Sequence, residues 1–239
     1  MRLITFQAPY QTATAAVGKL GERAVTPDGR IWKYVQNSVT TATTAGAMMI
    51  PDSGLNYQTT IVAGLLTATA NSSGQVVFLT SSNGGLTPGA FEEGWAYIYV
   101  GTGEGTLMKV KTNSATVIEV YPAYALAATT TIDATSGIKT WNPNVVQMSG
   151  ITAQTQVCTG IAQIAFATST YGWLLERGYG IVTGTSLVAG HGFGPGGATP
   201  GYALIATTAK GPYDQTYCGT IVIAANDASK NNFVFVNIT

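Results

Sequence analysis

The side chains able to do acid–base, nucleophilic or metal chemistry are few and poorly placed for it. The one histidine, His191, stands between Gly190 and Gly192 in a glycine-rich stretch, with no acidic residue within a dozen positions. A Ser-His-Asp triad is defined by geometry rather than chain order, but the chain has no Gly-x-Ser-x-Gly turn to raise a nucleophilic serine. His191 reads as a loop residue. Cys158 and Cys218 lie 60 positions apart, without Cys-x-x-Cys spacing and beside strand-forming neighbours such as Val157 and Tyr217, which argues against a metal site. Two buried free thiols are the expectation, since free cysteine is among the most buried residue types. A disulfide formed after release from a cell is the alternative.

The paired carboxylates of a glycosidase must face each other across roughly 5 to 9.5 Å. Glu92 and Glu93 are adjacent and, in an extended segment, would point to opposite faces; the other acids are scattered singly. A hydrolase would need acids distant in sequence to cluster in the fold. Gly101-Thr-Gly-Glu-Gly105 looks like a phosphate-cradling loop, but it lacks the Gly-Lys-Ser/Thr ending and a following helix. It reads as a hairpin turn. No catalytic residue, cofactor or metal is expected.

The elements that surround these residues are strands. Gln75–Thr80, Trp95–Val100, Ala115–Tyr121 and Asn232–Ile238 are short, rich in β-branched and aromatic residues, and bounded by Gly, Asn, Ser or Pro. In Trp95–Val100 the alternation puts Trp95, Tyr97 and Tyr99 on one face and Ala96, Ile98 and Val100 on the other, both apolar, which predicts a central strand. Turn residues predict one hairpin through Thr112–Ala115 and another through Asn226–Ser229. Strong helix formers are scarce, and only Ile61–Ala70 and Tyr121–Ala128 could hold a turn or two. The fold class is all-β, with a sandwich-like or barrel-like body. Residues 1–47 are too polar and small for a core of their own and read as an arm; residues 48–150 read as the β-rich body. From about residue 151 to 239 short β runs alternate with Gly-rich loops.

Composition narrows the partners. Only 22 of 239 residues are charged, 9% against roughly 25% in an ordinary domain, while Thr, Ala and Gly make up about two fifths of the chain. Such a surface suits a component of an assembly. Eleven basic residues cancel eleven acidic ones without any basic cluster, so the counterion-release contribution to nucleic-acid binding is missing. The uncharged stretches are broken by Thr, Asn, Ser and Gly, so no membrane span is expected. Met1–Tyr10 lacks the apolar run of a secretory signal, which places synthesis in the cytoplasm. Four Trp and 12 Tyr could mark a sugar-binding surface, but aromatics interleaved with Val and Ile on strands point first to core or interface.

Two stretches carry a resemblance. Pro27-Asp-Gly-Arg-Ile-Trp-Lys-Tyr34, within Leu20–Val35, and Tyr171-Gly-Trp173, within Thr170–Val182, are similar to motifs of tailed-bacteriophage virion proteins that decorate the capsid. The resemblance implies an N-terminal segment, a β-rich body and a small C-terminal barrel. In that barrel the Tyr-Gly-Trp strand leads through a small-residue turn into a second strand, Gly178–Thr183, and later into Gly219–Ala224 and Phe233–Ile238. It also implies a non-enzymatic cement protein on the outer capsid surface of the virion, bridging adjacent capsomers of the major capsid protein and self-associating as a homotrimer. Ile4, Phe6 and Tyr10 are the expected apolar anchors, and Asp28, Arg30, Trp32 and Tyr34 the expected contacts, with Tyr171 and Trp173 as core. The alternative is a tail-fibre or surface-adhesion module that binds host glycans, and a concave aromatic patch would separate the two.

Overall fold

The computed structural model describes residues 1–38, 40–52, 67–70, 76–79, 88–101, 103–115, 117–124, 137–149, 157–196, 199–205, 217–225 and 231–238. The strands are β1 (Arg2–Leu3), β2 (Arg23–Val25), β3 (Ile31–Asn37), β4 (Met48–Pro51), β5 (Thr67–Ala70), β6 (Val76–Leu79), β7 (Trp95–Val100), β8 (Leu107–Asn113) and β9 (Val117–Val120). They continue with β10 (Gly137–Trp141), β11 (Val145–Met148), β12 (Gly160–Ala162), β13 (Tyr171–Thr183), β14 (Gly192–Pro195), β15 (Ala203–Ile205), β16 (Gly219–Ile223) and β17 (Asn231–Asn237). The fold is all-β. The helical pieces among the described residues are single 3-10 turns, Ala8–Tyr10 and Pro122–Tyr124.

The chain divides into one unit made of residues 1–51 and 143–239 and another made of 52–142. In the first, β3 pairs with β11, β11 with β4, β4 with β12, β12 with β13, and β13 again with β3, which closes a ring of five strands. Closure leaves those strands no free edge to satisfy. Alternation then sorts side chains to the two surfaces of the ring. Val35, Met49, Val146, Ala162, Phe166 and Leu174 form one buried cluster. Trp32, Tyr34, Met48, Ile161, Trp173 and Leu175, their neighbours on the same strands, join a second cluster with Val182, Phe193, Val234 and Val236. Burying each such side chain stabilises the fold by about 1.5–3 kcal/mol.

Strand β13 is the hub. Tyr171–Arg177 pairs with β3 and Arg177–Thr183 with β17, and the register against β3 slips between Leu175 and Arg177. Beyond the slip β17 carries β16, then β14 and β15, to the edge of an eleven-stranded sheet whose other edge is β1. The side of β13 that β3 has left is satisfied at Ile181. There the Gln163 side chain accepts from the Ile181 N–H at 2.9 Å and donates to its carbonyl at 3.0 Å, imitating a neighbouring strand.

Several expectations change. Residues 1–47 are not an arm lacking a core: β3 lies inside the ring, and Trp32 and Tyr34 are fully buried. The chain divides at residues 51 and 143 rather than at 47 and 150. The closed ring draws β3 and β4 from the N-terminal region, so it is not a barrel of residues 151–239 alone. Tyr171–Trp173 and Gly178–Thr183 are one continuous strand, with a bulge in place of the turn. Strand pairing between distant segments is what local pattern cannot display. Within Ile61–Ala70, Thr67–Ala70 is strand, and residues 61–66 lie outside the described residues, as do 125–128 of the second helical candidate. The two hairpins form as expected, β8 with β9 and β16 with β17, although residues 226–229 of the second turn lie outside the described residues.

The second unit is an antiparallel sheet in the order β10-β7-β8-β9-β6-β5. Strand β7 is central, as its pattern predicts, but its two faces differ: Ala96 and Ile98 are buried while Tyr97 is exposed. Gly101, Gly103 and Gly105 all have positive φ in the β7–β8 hairpin, the conformation that glycine takes without strain. Glu92 is exposed and Glu93, at φ 57°, is buried. The Glu93 carboxylate accepts from the Tyr121 hydroxyl and its carbonyl from Lys109 Nζ. The doublet thus serves a turn.

Two stability outcomes follow from unit one. Glu176 of β13 is buried, and Arg23 of β2 holds it through Nε to Oε2 at 2.7 Å and Nη2 to Oε1 at 3.2 Å. Arg23→Ala leaves that carboxylate without its partner and is expected to cost about 2 kcal/mol, read as a lower urea midpoint at unchanged slope.

Cys158 and Cys218 are both free and buried in one cluster. Their mutual hydrogen bond, then burial, pushes the Cys218 thiol far above its ordinary value of 9.0. Burial also raises the Tyr34 phenol above 10.0, against the N–H donated by Val17. The folded state keeps both protons where the unfolded chain releases them. Stability is therefore full below the ordinary thiol value and falls as pH rises above it. Urea midpoints taken from about pH 7 to pH 11 are expected to stay level to about pH 9 and then drop, and Cys218→Ala is expected to flatten the first part of that drop.

Candidate ligand-binding surface

The tetrapeptide Thr26–Gly29 makes a tight turn between β2 and β3: the Gly29 N–H donates to the Thr26 carbonyl at 2.8 Å with Gly29 at φ +83°. Thr26 then organises the turn. Its hydroxyl donates to Asp28 Oδ1 at 2.5 Å and accepts from the indole N–H of buried Trp32 at 3.2 Å. On the other carboxylate oxygen, Oδ2, Asp28 receives Arg30 Nε at 2.6 Å. Burial alone would raise the Asp28 carboxyl, but the hydrogen bonds from Thr26 and Arg30 outweigh it and hold the pKa below the usual value.

Arg30 is fixed from every side. Its Nη1 donates to the Tyr10 hydroxyl at 2.7 Å, and its guanidinium carbon lies 5.9 Å from the Tyr10 ring centre and 5.2 Å from that of Trp32. Burial works against its charge, and the bonds to Tyr10 and Asp28 more than restore it. Below it, Gly178 has φ +114°, and a methyl group there would come within 2.6 Å of Arg30 Cγ. The glycine just past the β13 bulge is thus the seat of the arginine stem.

Next along β13 and β17 are two exposed aromatic rings. Tyr179 and Phe233 lie parallel, 4° apart in plane with centres at 5.5 Å, and Phe235 meets Tyr179 edge-on at 5.2 Å. Between this pair and the turn runs a groove of about 410 Å³ lined by Tyr10, Asp28, Arg30, Gln163, Tyr179 and Phe233. A smaller hollow of about 250 Å³ lies among Arg2, Ile4, Val17, Tyr34 and Tyr171.

The structure sorts the seven expected contact residues. Tyr10, Asp28 and Arg30 come together on the groove, and Phe6 is half exposed. Trp32 and Tyr34 are buried and cannot meet a partner: alternation along β3 turns both toward the large cluster, and Tyr34 packs 5.0 Å from Trp173. Ile4 is buried in the same cluster, so it anchors the N-terminal segment inward rather than outward. Trp173 is core as expected, while Tyr171 is only partly buried. Sequence reading passed over Tyr179 and Phe233. The signal was there in β17, where Phe233 and Phe235 alternate with Val234 and Val236, a pattern that puts aromatics on the face opposite the aliphatic core.

His191 is an exposed loop residue. Among the described residues no group of three or more His, Cys, Asp or Glu could hold a metal ion, and no helix is long and apolar enough to cross a membrane. Comparison with protein families, curated proteins and solved structures finds no match for this chain.

The seat of Arg30 gives a direct test. Gly178→Ala sets a side chain at strained φ against Arg30 Cγ and is expected to destabilise by about 1–3 kcal/mol. Ala introduced at Gly105, where φ is also positive but nothing lies within 4 Å, is expected to cost less by the same urea titration.

Proposed function

We propose that this chain is a non-enzymatic virion structural protein that decorates the head of a tailed bacteriophage and stabilises it by bridging adjacent capsomers. The observation that supports this reading best is the β1 edge. Among the described residues β1 is the outermost strand of its sheet and pairs on one side only, in parallel with β2. Leu3 in it is 70% exposed, and Met1 and Phe6, which flank it in the chain, are 75% and 50% exposed, while Ile4 is buried. An open edge with outward apolar side chains is a template for strand addition by a partner. Weak contacts suffice in such a setting, because repetition around a shell multiplies effective concentration. A chain with 9% charged residues and no net charge gains little from counterion release on nucleic acid. Homotrimer formation, and the major capsid protein as partner, rest on the sequence resemblance.

The aromatic groove favours a second reading, a surface-adhesion or tail-fibre module that takes host glycans. The groove does not conflict with decoration, because the outer face of a head is open to solvent and a protein bound there can present a ligand site as well.

The test is co-assembly with expanded heads that lack the protein. Wild type is expected to bind stoichiometrically and to raise the temperature at which heads release DNA. Leu3→Asp with Phe6→Asp is expected to lower the affinity for heads by about tenfold or more without moving the urea midpoint. Ile4→Ala is expected to lower the urea midpoint, as a buried Ile→Ala change costs about 2–5 kcal/mol. Wild-type protein that ignores heads and attaches to host cells would overturn the decoration reading in favour of the second.

A further inference from the structure

The groove beside Arg30 has a chemistry that narrows what it can hold. Its floor is the stacked pair Tyr179 and Phe233, 54% and 40% exposed, an apolar surface that the fold leaves uncovered among the described residues. Its wall is the Asp28–Arg30 ion pair capped by the Tyr10 hydroxyl. Small-molecule sites are concavities of about 300–1,000 Å³ that combine aromatic walls with a few placed polar groups, and the groove's 410 Å³ falls in that range.

Charge selects among ligands. A cation would be drawn to aromatic faces, but in this groove it would meet the positive guanidinium of Arg30 on the wall. An anion would seek the guanidinium, but it would be repelled by the Asp28 carboxylate that Nε holds at 2.6 Å. A purely apolar ligand would strip water from the ion pair without replacing its hydrogen bonds, which is costly. What remains is a neutral ligand with a flat C–H face and a rim of hydroxyls. Asp28 still has acceptor capacity beyond its bonds from Thr26 and Arg30, and the guanidinium has donors beyond its bonds to Asp28 and Tyr10.

We propose that this groove binds a neutral saccharide, with the C–H face of a hexose against the exposed part of the stacked Tyr179 and Phe233 rings and its hydroxyls on Asp28, Arg30 and Tyr10. The inference deepens the adhesion reading and rests on the same groove. It is tested on the full chain by saturation-transfer NMR with maltotriose, cellotriose, mannotriose and galactobiose, with glucuronate and choline as charged controls. At least one neutral probe is expected to receive saturation through its ring C–H protons. Tyr179→Ala and Phe233→Ala are each expected to weaken it by about tenfold or more at unchanged melting temperature, Asp28→Asn to weaken it, and Tyr179→Phe to preserve it. Silence of every neutral probe, a stronger response from either control, or unchanged binding in both alanine variants would overturn the proposal. Host-cell attachment measured on the same variants separates the two claims. Attachment that is lost in Tyr179→Ala without any saccharide signal would overturn the saccharide and leave adhesion standing. A saccharide signal without attachment would support the saccharide site and remove adhesion.

Discussion

One strand serves two partnerships, and the rest of the first unit depends on it. The first half of β13 closes the five-stranded ring against β3 and β12, and the second half carries β17 and the strands beyond it. A straight thirteen-residue strand would hold both neighbours in a single register. The slip against β3 between Leu175 and Arg177, followed by Gly178 at φ +114°, sits where pairing with β3 ends and pairing with β17 begins, both at Arg177, without ending the strand. Bulges bend strands and redirect side chains in this way. Everything that distinguishes the groove follows from that bend: Gly178 clears the space for Arg30, and Tyr179 emerges beside Phe233.

The polar groups near the bend are held by pairing rather than by exposure to water. Buried Glu176 meets Arg23, Gln163 stands in for a missing strand at Ile181, and Thr26 links Asp28 to the Trp32 indole. Each of these would cost free energy if left alone in the interior. Together they fix β2, β3 and β13 against one another, so the groove is preorganised. Preorganisation is what lets a shallow surface bind, because little conformational entropy remains to be lost when a ligand arrives.

How much of this was legible in the sequence depends on the range of the interaction. Local signals served well: β7, β9, β16 and β17 lie where their β-branched runs and turn residues put them, and Gly101–Gly105 is a hairpin turn. The all-β class followed from the scarcity of helix formers. The ring did not, because β3 and β13 are more than 130 residues apart and nothing in either states that they pair. The same gap misassigned Trp32 and Tyr34, which follow a polar Asp-Gly turn and look like surface aromatics until β13 covers them. It also hid Ile4, whose inward direction is set by β2. Asp28 and Arg30 stand out through the Pro27–Tyr34 motif and Tyr10 as an apolar anchor, yet their common place on a groove requires Gly178 and Tyr179 from another part of the chain.

The claim on which the rest turns is that β13 is one rigid strand across the bulge. Native-state amide hydrogen exchange tests it residue by residue. Protected amides of Gly172–Leu175 and of Tyr179–Thr183 are expected to exchange with the same free energy, close to that of global unfolding, as members of one cooperative unit. Rapid exchange confined to Tyr179–Thr183, with Gly172–Leu175 still protected, would contradict it: the ring would then stand alone and the groove would be a surface that forms and dissolves.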